Sequence, residues 1–167
     1  MDEPGAAGIA INIRSAAYFI ASTEGRCTQC GEATPLVALA LPGGHETLDP
    51  DVAPQAAEAW QPAPLPAVLF DVYCLAEPVQ RQLRRRSAAY RLNYDPGGGG
   101  AQWSNHCAHC GAVQDEQALH GEPDVAFMPT SPQTAATIRL DAIPEPLCAG
   151  ASGYAEDPAF FDCMARS

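Results

Sequence analysis

Cys27-Thr28-Gln29-Cys30-Gly31 and, much later in the chain, Cys107-Ala108-His109-Cys110-Gly111 are the stretches on which the reading of this sequence turns. Two residues between paired cysteines let the backbone curl until both sulfurs reach one ion. Zinc prefers a tetrahedral shell of thiolates, and two such pairs make a closed set of four. The glycine after each pair stands where this turn needs a positive φ, a conformation that glycine adopts freely. One Cys-x-x-Cys is a weak signal; two with matching glycines and strand-like flanks are a strong one.

Other readings of these cysteines stay open. A thioredoxin-like redox pair calls for a strand–motif–helix setting and a lowered thiol pKa, and neither pair precedes a helix start. Two separate metal sites would draw extra ligands from His45, His106, His109 or His120, and a chain without metal is the fourth reading. His106 and His109 read as surface groups or supports of the knuckle. Cys74 stands in an apolar run and reads as a small buried hydrophobe. Cys148 and Cys163 fall in a weakly patterned tail, where only oxidation would join them.

Outward from the motifs, residues 9–22 alternate and carry β-branched or aromatic side chains suited to strands. Residues 36–41 (Leu-Val-Ala-Leu-Ala-Leu) are an apolar run of strand length. Residues 42–66 hold six prolines and little apolar besides Trp60, which reads as a linker or long surface loop. Residues 67–75 are the best buried-strand candidate. A helix follows, with Pro78 in its first turn, where the missing N–H costs nothing. Val79, Leu83 and Tyr90 share one face of it, leaving Arg81, Arg84 and Arg85 outward. Strands are expected at 91–94, 102–106 and, as the last one, 137–143. Residues 1–8 and 144–167 read as flexible tails.

The two knuckles with their flanks (residues 26–39 and 105–112) resemble those of zinc-ribbon proteins, and also uncharacterised bacterial zinc-binding proteins. The resemblance implies that Cys27, Cys30, Cys107 and Cys110 are the ligands of one zinc ion per chain. One departure is the stretch from Cys30 to Cys107, several times longer than the about 15–20 residues that ribbons use. Closing the longer loop adds roughly 1.2 kcal/mol, against about 10–16 kcal/mol from a structural zinc. The insertion is tolerable.

Composition limits the remainder. Leu, Ile, Val and Phe together make up less than a fifth of the chain, and alanine alone slightly outnumbers all four. That lies below the roughly 20% at which, with high net charge, disorder sets in. A large self-sufficient core is not expected, and the metal should carry the stability. The absence of lysine beside abundant Ala, Gly, Pro and Arg fits a GC-rich bacterial genome. The acidic start Met1-Asp2-Glu3-Pro4 is unlike a signal peptide, and the apolar stretch at 9–20 is broken by Asn12 and Arg14, too short to span a bilayer. Cytoplasmic location follows as the expectation. No nucleophile–base motif stands out, and Gly97–Gly100 lacks the Lys-Ser/Thr of a phosphate loop. An enzyme is not expected.

The expectation is an α+β, small β-rich domain over residues 9–143, built around a zinc ribbon with a helix-containing insertion between the two knuckles. Its expected role is a structural zinc protein that binds another protein. The alternatives are a nucleic-acid-associated zinc ribbon using the helix at 81–86 and, third, a thiol redox protein. Nine basic residues against 20 acidic ones give a net charge of −11, and non-specific nucleic-acid binding is a matter of phosphate neutralisation. Tight binding to random duplex DNA is therefore not expected near physiological salt; micromolar affinity in a filter-binding assay would overturn this. Any binding that does occur should weaken when Arg81, Arg84 and Arg85 are neutralised together.

Overall fold

Residues 36–41 form most of a strand that is buried on both faces. The structure, a computed structural model, describes residues 11–53, 55–94, 100–120, 125–156, 158 and 160–166. In it, strand β3 (Ala33–Leu41) sends Leu36, Ala38 and Ala40 into one apolar cluster and Val37, Leu39 and Leu41 into another. The period of two places the clusters on opposite faces of the sheet.

The sheet continues on both sides of β3. Strand β1 is Ile13–Ser15, β2 Tyr18–Arg26, β4 His45–Leu48, β5 Trp60–Ala63, β6 Ala67–Leu75, β7 Tyr90–Tyr94, β8 Ala101–Asn105, β9 Arg139–Ile143, β10 Leu147–Glu156 and β11 Ala165–Arg166. These strands make one curled, half-barrel sheet in the order β11-β9-β2-β3-β6-β10-β1-β4-β5, with β8 pairing β6 and β7 pairing β8. Pairing is antiparallel except for β11 on β9. Helix α1 (Glu77–Arg86) buries Val79 and Leu83 in the first cluster, with Pro78 in its first turn. Helices α2 (Glu116–His120) and α3 (Pro132–Ala135) and the turn at Phe161–Cys163 contribute Leu119, Ala135 and Phe161 to the second.

This architecture overturns the α+β zinc-ribbon reading. Among the described residues 47% are strand and 17% helix, and the knuckles are appendages of a large sheet. The physical reason lies in alanine. Ala21, Ala38, Ala40, Ala149 and Ala151 are all buried in strands, where small side chains beside leucines let covering elements approach both faces closely. The proline-rich stretch is likewise more than a loop, because β4 and β5 pair within it (Glu46↔Pro62, Leu48↔Trp60) and Arg14 lies 4.1 Å over the Trp60 ring. Nor are the described residues of 144–167 a loose tail: β10 lies between β6 and β1. Its glycines hid it. Gly153 is needed where it stands opposite Phe70, since a Cβ there would come 2.4 Å from the ring. Residues 1–8 lie outside the described residues. Tyr90, expected on the helix, starts β7 and stacks on Trp103 with centroids 6.1 Å apart.

The sheet branches beside β6. Strands β3 and β6 pair only at Ala40↔Val68 and Leu41↔Ala67. Beyond that point they part and β8 enters the gap, with Trp103 opposite Val72. Asp71 sits at this fork with φ +53°, a left-handed conformation that a residue with a Cβ rarely adopts. On the other side of the gap the fully buried Asn105 closes the seam. Its Oδ1 accepts the Val37 N–H and its Nδ2 donates to the Val37 carbonyl, both at 2.9 Å. Asn105→Ala would orphan both backbone groups at about 1–3 kcal/mol each. A loss of about 2–4 kcal/mol in urea denaturation is the expected outcome.

Candidate metal centre

Each knuckle is the tip of a hairpin, and the two are built alike. In the first, Cys27 N donates to the Glu32 carbonyl (2.9 Å) and Gly31 N to the Cys27 carbonyl (3.0 Å). In the second, Cys107 N donates to Ala112 (2.8 Å) and Gly111 N to Cys107 (3.0 Å). Gly31 and Gly111 have φ of +77° and +80° with open space around an added Cβ, so backbone conformation alone demands glycine there. The amides of Gln29 and Cys30 point at the Cys27 sulfur (3.3 and 3.4 Å), and those of His109 and Cys110 at the Cys107 sulfur (3.3 and 3.5 Å).

The fold brings the knuckles face to face. The ligand atoms of Cys27, Cys30, Cys107 and Cys110 all lie within 4.8 Å of one another. Cys27 Sγ is 3.6 Å from Cys110 Sγ, and Cys30 Sγ is 3.7 Å from Cys107 Sγ. All seven cysteines are free thiols. Four sulfurs about 2.3 Å from a central zinc would stand about 3.8 Å apart in a tetrahedron, so the donor set fits such an ion. All four cysteines picked out from the sequence are thus brought together. The histidines are not among them: His109 Nε2 donates to the Ala33 carbonyl (3.1 Å), His106 Nδ1 lies 3.1 Å from the carbonyls of Ala89 and Ser104, and His45 Nδ1 lies 2.8 Å from that of Pro42. Cys74 is only half-buried, while Cys148 and Cys163 are exposed.

Two residues that sequence reasoning passed over lock the knuckles together. Buried Thr34 accepts the Ala108 N–H of the opposite knuckle through its Oγ1 (3.0 Å). Buried Gln114 donates its Nε2 to the opposite Cys27 sulfur (3.4 Å). Each stands seven positions after the first cysteine of its own knuckle. That shared offset of a polar residue was the available signal.

No protein-family model matches this chain, and no curated protein or solved structure is found similar to it. The site's chemistry rests on its geometry. The amides, that of Cys30 foremost, lower the Cys27 thiol to about 6 against the upward push of burial, with further help from the Gln29 amide and the Gln114 side chain. The Cys110 amide chiefly lowers Cys107 in the same manner. In Cys30 the Glu32 amide lowers the thiol, but burial and the neighbouring sulfurs outweigh it and push the group up to about 12. Cys110 is raised as well: the Ala112 amide lowers it, and the Cys27 sulfur and burial overcome that. The amide hydrogen bonds thus favour the thiolate form at the two buried sulfurs, Cys27 and Cys107, over the two exposed ones.

The sign of the pH dependence follows. Metal binds thiolates, so the loaded site holds fewer protons than the free one and affinity falls as pH falls. Because Cys27 starts lowered to about 6 and Cys107 is shifted in the same direction, loading at pH 7.5 should release fewer than four protons per ion. Proton release in weak buffer during metal titration measures this directly, and acidification toward pH 5 should strip the ion.

Proposed function

We propose that the four sulfurs hold one zinc ion per chain as a structural clamp, and that the clamped domain works by binding another protein. The convergence of the four sulfurs carries the first part. A tetrahedral four-sulfur set suits zinc or iron, and closed four-thiolate shells are the usual form of a structural zinc site. Such a shell leaves no open position for a water nucleophile, which favours structure over hydrolysis. In this restricted sense the likeness to zinc-ribbon proteins persists: it concerns the knuckles and not the surrounding fold.

The second part draws on strand β7. Among the described residues it pairs with β8 alone, leaving its other edge unpaired, and it exposes Leu92 and Tyr94. An unpaired strand edge with apolar side chains invites a strand from another chain. Support for the nucleic-acid alternative is weaker. Arg81 and Arg84 reach Glu77 at 3.7 and 3.0 Å, and Arg86 pairs with Asp141, so the basic strip is partly neutralised by the chain's own acids. Among the described residues no helix is long and apolar enough to cross a membrane.

Elemental analysis of purified protein should find one zinc per chain, and X-ray absorption a shell of sulfur only. Clear nitrogen ligation or two ions per chain would sink this reading. Cys107→Ser should abolish most binding, and chelation should lower the Tm sharply. A metal-free protein that melts at nearly the same temperature would make the ion an accessory.

A further inference from the structure

Beside the fork in the sheet lies a polar cleft of about 210 Å³, lined among others by Asp71, Asn93, Gln102, Gln114, Asp115 and Glu116. None of the residues lining it is basic. Glu116 is only 7% exposed. Its Oε1 accepts the N–H of the strained Asp71 at 3.2 Å, while its Oε2 is buried with no hydrogen-bond partner among the described residues. The nearest imidazole does not help. His120 Nε2 stands 3.9 Å from Glu116 Oε1, beyond hydrogen-bond range. The ring is stacked against Phe70 and Phe127 and kept neutral, its pKa lowered to about 4 by burial.

Glu116 and Asp71 feel the acids around them. Burial first, then the charges of Asp71 and Asp115, raise Glu116 to about 7 against the lowering effect of the Asp71 amide. Burial and Asp115 raise Asp71 too. A buried acid with an empty oxygen, acidic neighbours and a left-handed aspartate beside it is an arrangement that costs stability unless something positive enters. The chain has no lysine, and none of its nine arginines lines the cleft.

Geometry narrows the class of that cation. A metal ion bound directly by three carboxylates at about 2.3–2.6 Å would bring their oxygens within about 5 Å of each other. Among the described residues only the cysteine quartet offers three or more such ligands at that separation. We propose that this cleft binds a small organic cation, a primary ammonium or guanidinium group, whose charge balances Glu116, Asp71 and Asp115. Of these, among the described residues, only Asp115 has a carboxylate already engaged by a backbone amide of the helix that follows it, that of Ala118 at 3.2 Å. The group is either a free amine or the end of a lysine or arginine side chain from a peptide. The inference stands apart from the zinc reading.

Amide-resolved NMR on the full, metal-loaded chain tests it. The probes are n-propylammonium, methylguanidinium and an acetyl-Gly-Lys-Gly-amide peptide, with tetramethylammonium and calcium as controls. Saturable shifts at Asp71, Asp115 and Glu116 are expected with the first three. Asp115→Asn and Glu116→Gln should each weaken binding about tenfold or more, as loss of a charge-assisted contact does, with metal content unchanged. Asp115 is exposed, so its variant keeps the test valid if the buried one fails to fold. Tighter binding of the peptide than of propylammonium assigns the source to a partner's side chain; the reverse assigns it to a free amine. Equal shifts with tetramethylammonium, a stronger response to calcium, or binding that survives in the Asp115 variant would overturn the proposal.

Discussion

Four sulfurs within 4.8 Å of one another impose the constraint from which this side of the molecule is built. They belong to two hairpin tips that lie far apart along the chain. Where the tips meet, the end of β8 reaches β3 through the Asn105 side chain, although β6 already pairs with part of that edge. The seam is held by what a ladder would otherwise supply: Asn105 imitates a strand partner for Val37, and Thr34 and Gln114 bond across the knuckles. Each of these groups is buried, so each would be expensive to leave unpaired.

The fork has a consequence in the backbone of β6. Residues up to Val68 pair with β3, and Val72 pairs with β8. Asp71 takes the left-handed conformation between them. A glycine would hold that φ with less strain. An aspartate there keeps a carboxyl group beside the cleft and offers its amide to Glu116. The strain therefore sits where polar chemistry collects, which is a common place for it.

How much of this could be read from the residues depends on the kind of signal. The knuckles were legible because their requirement is local: two sulfurs two residues apart and a glycine able to take positive φ. Strands β3, β6, β7, β8 and β9 and helix α1 were legible because apolar spacing and Pro78 mark them. Strand β10 was not, since Leu-Cys-Ala-Gly-Ala-Ser-Gly-Tyr-Ala-Glu has the composition of a loop and is a strand only because β6 and β1 flank it. The edge pair β4–β5 was hidden by its prolines, which an outer strand tolerates. Counting only large aliphatic residues also missed the core, because alanine in a doubly covered sheet excludes water as effectively as leucine does, only over less area. The branching of the sheet is a long-range property with no local mark at all.

Gln114 connects the two chemistries. One side chain donates to the Cys27 sulfur (3.4 Å) and to the Ala112 carbonyl (2.9 Å), while its neighbours Asp115 and Glu116 line the acidic cleft. A hydrogen bond to a thiolate is stronger than one to a thiol, so the lowered Cys27 and the Gln114 side chain support each other. The backbone here is pinned a second time, by the Gln114 N–H to the Asn105 carbonyl at 2.8 Å. Helix α2 begins two residues later and is only five residues long, too short to hold its own place by helical propensity. Its first residue, Glu116, is therefore positioned by the knuckle before it and by the Asp71 amide across from it. The metal-type site and the cleft are separate in chemistry and joined in mechanics: the four sulfurs set where the second knuckle ends, and that end sets where the buried carboxylate begins.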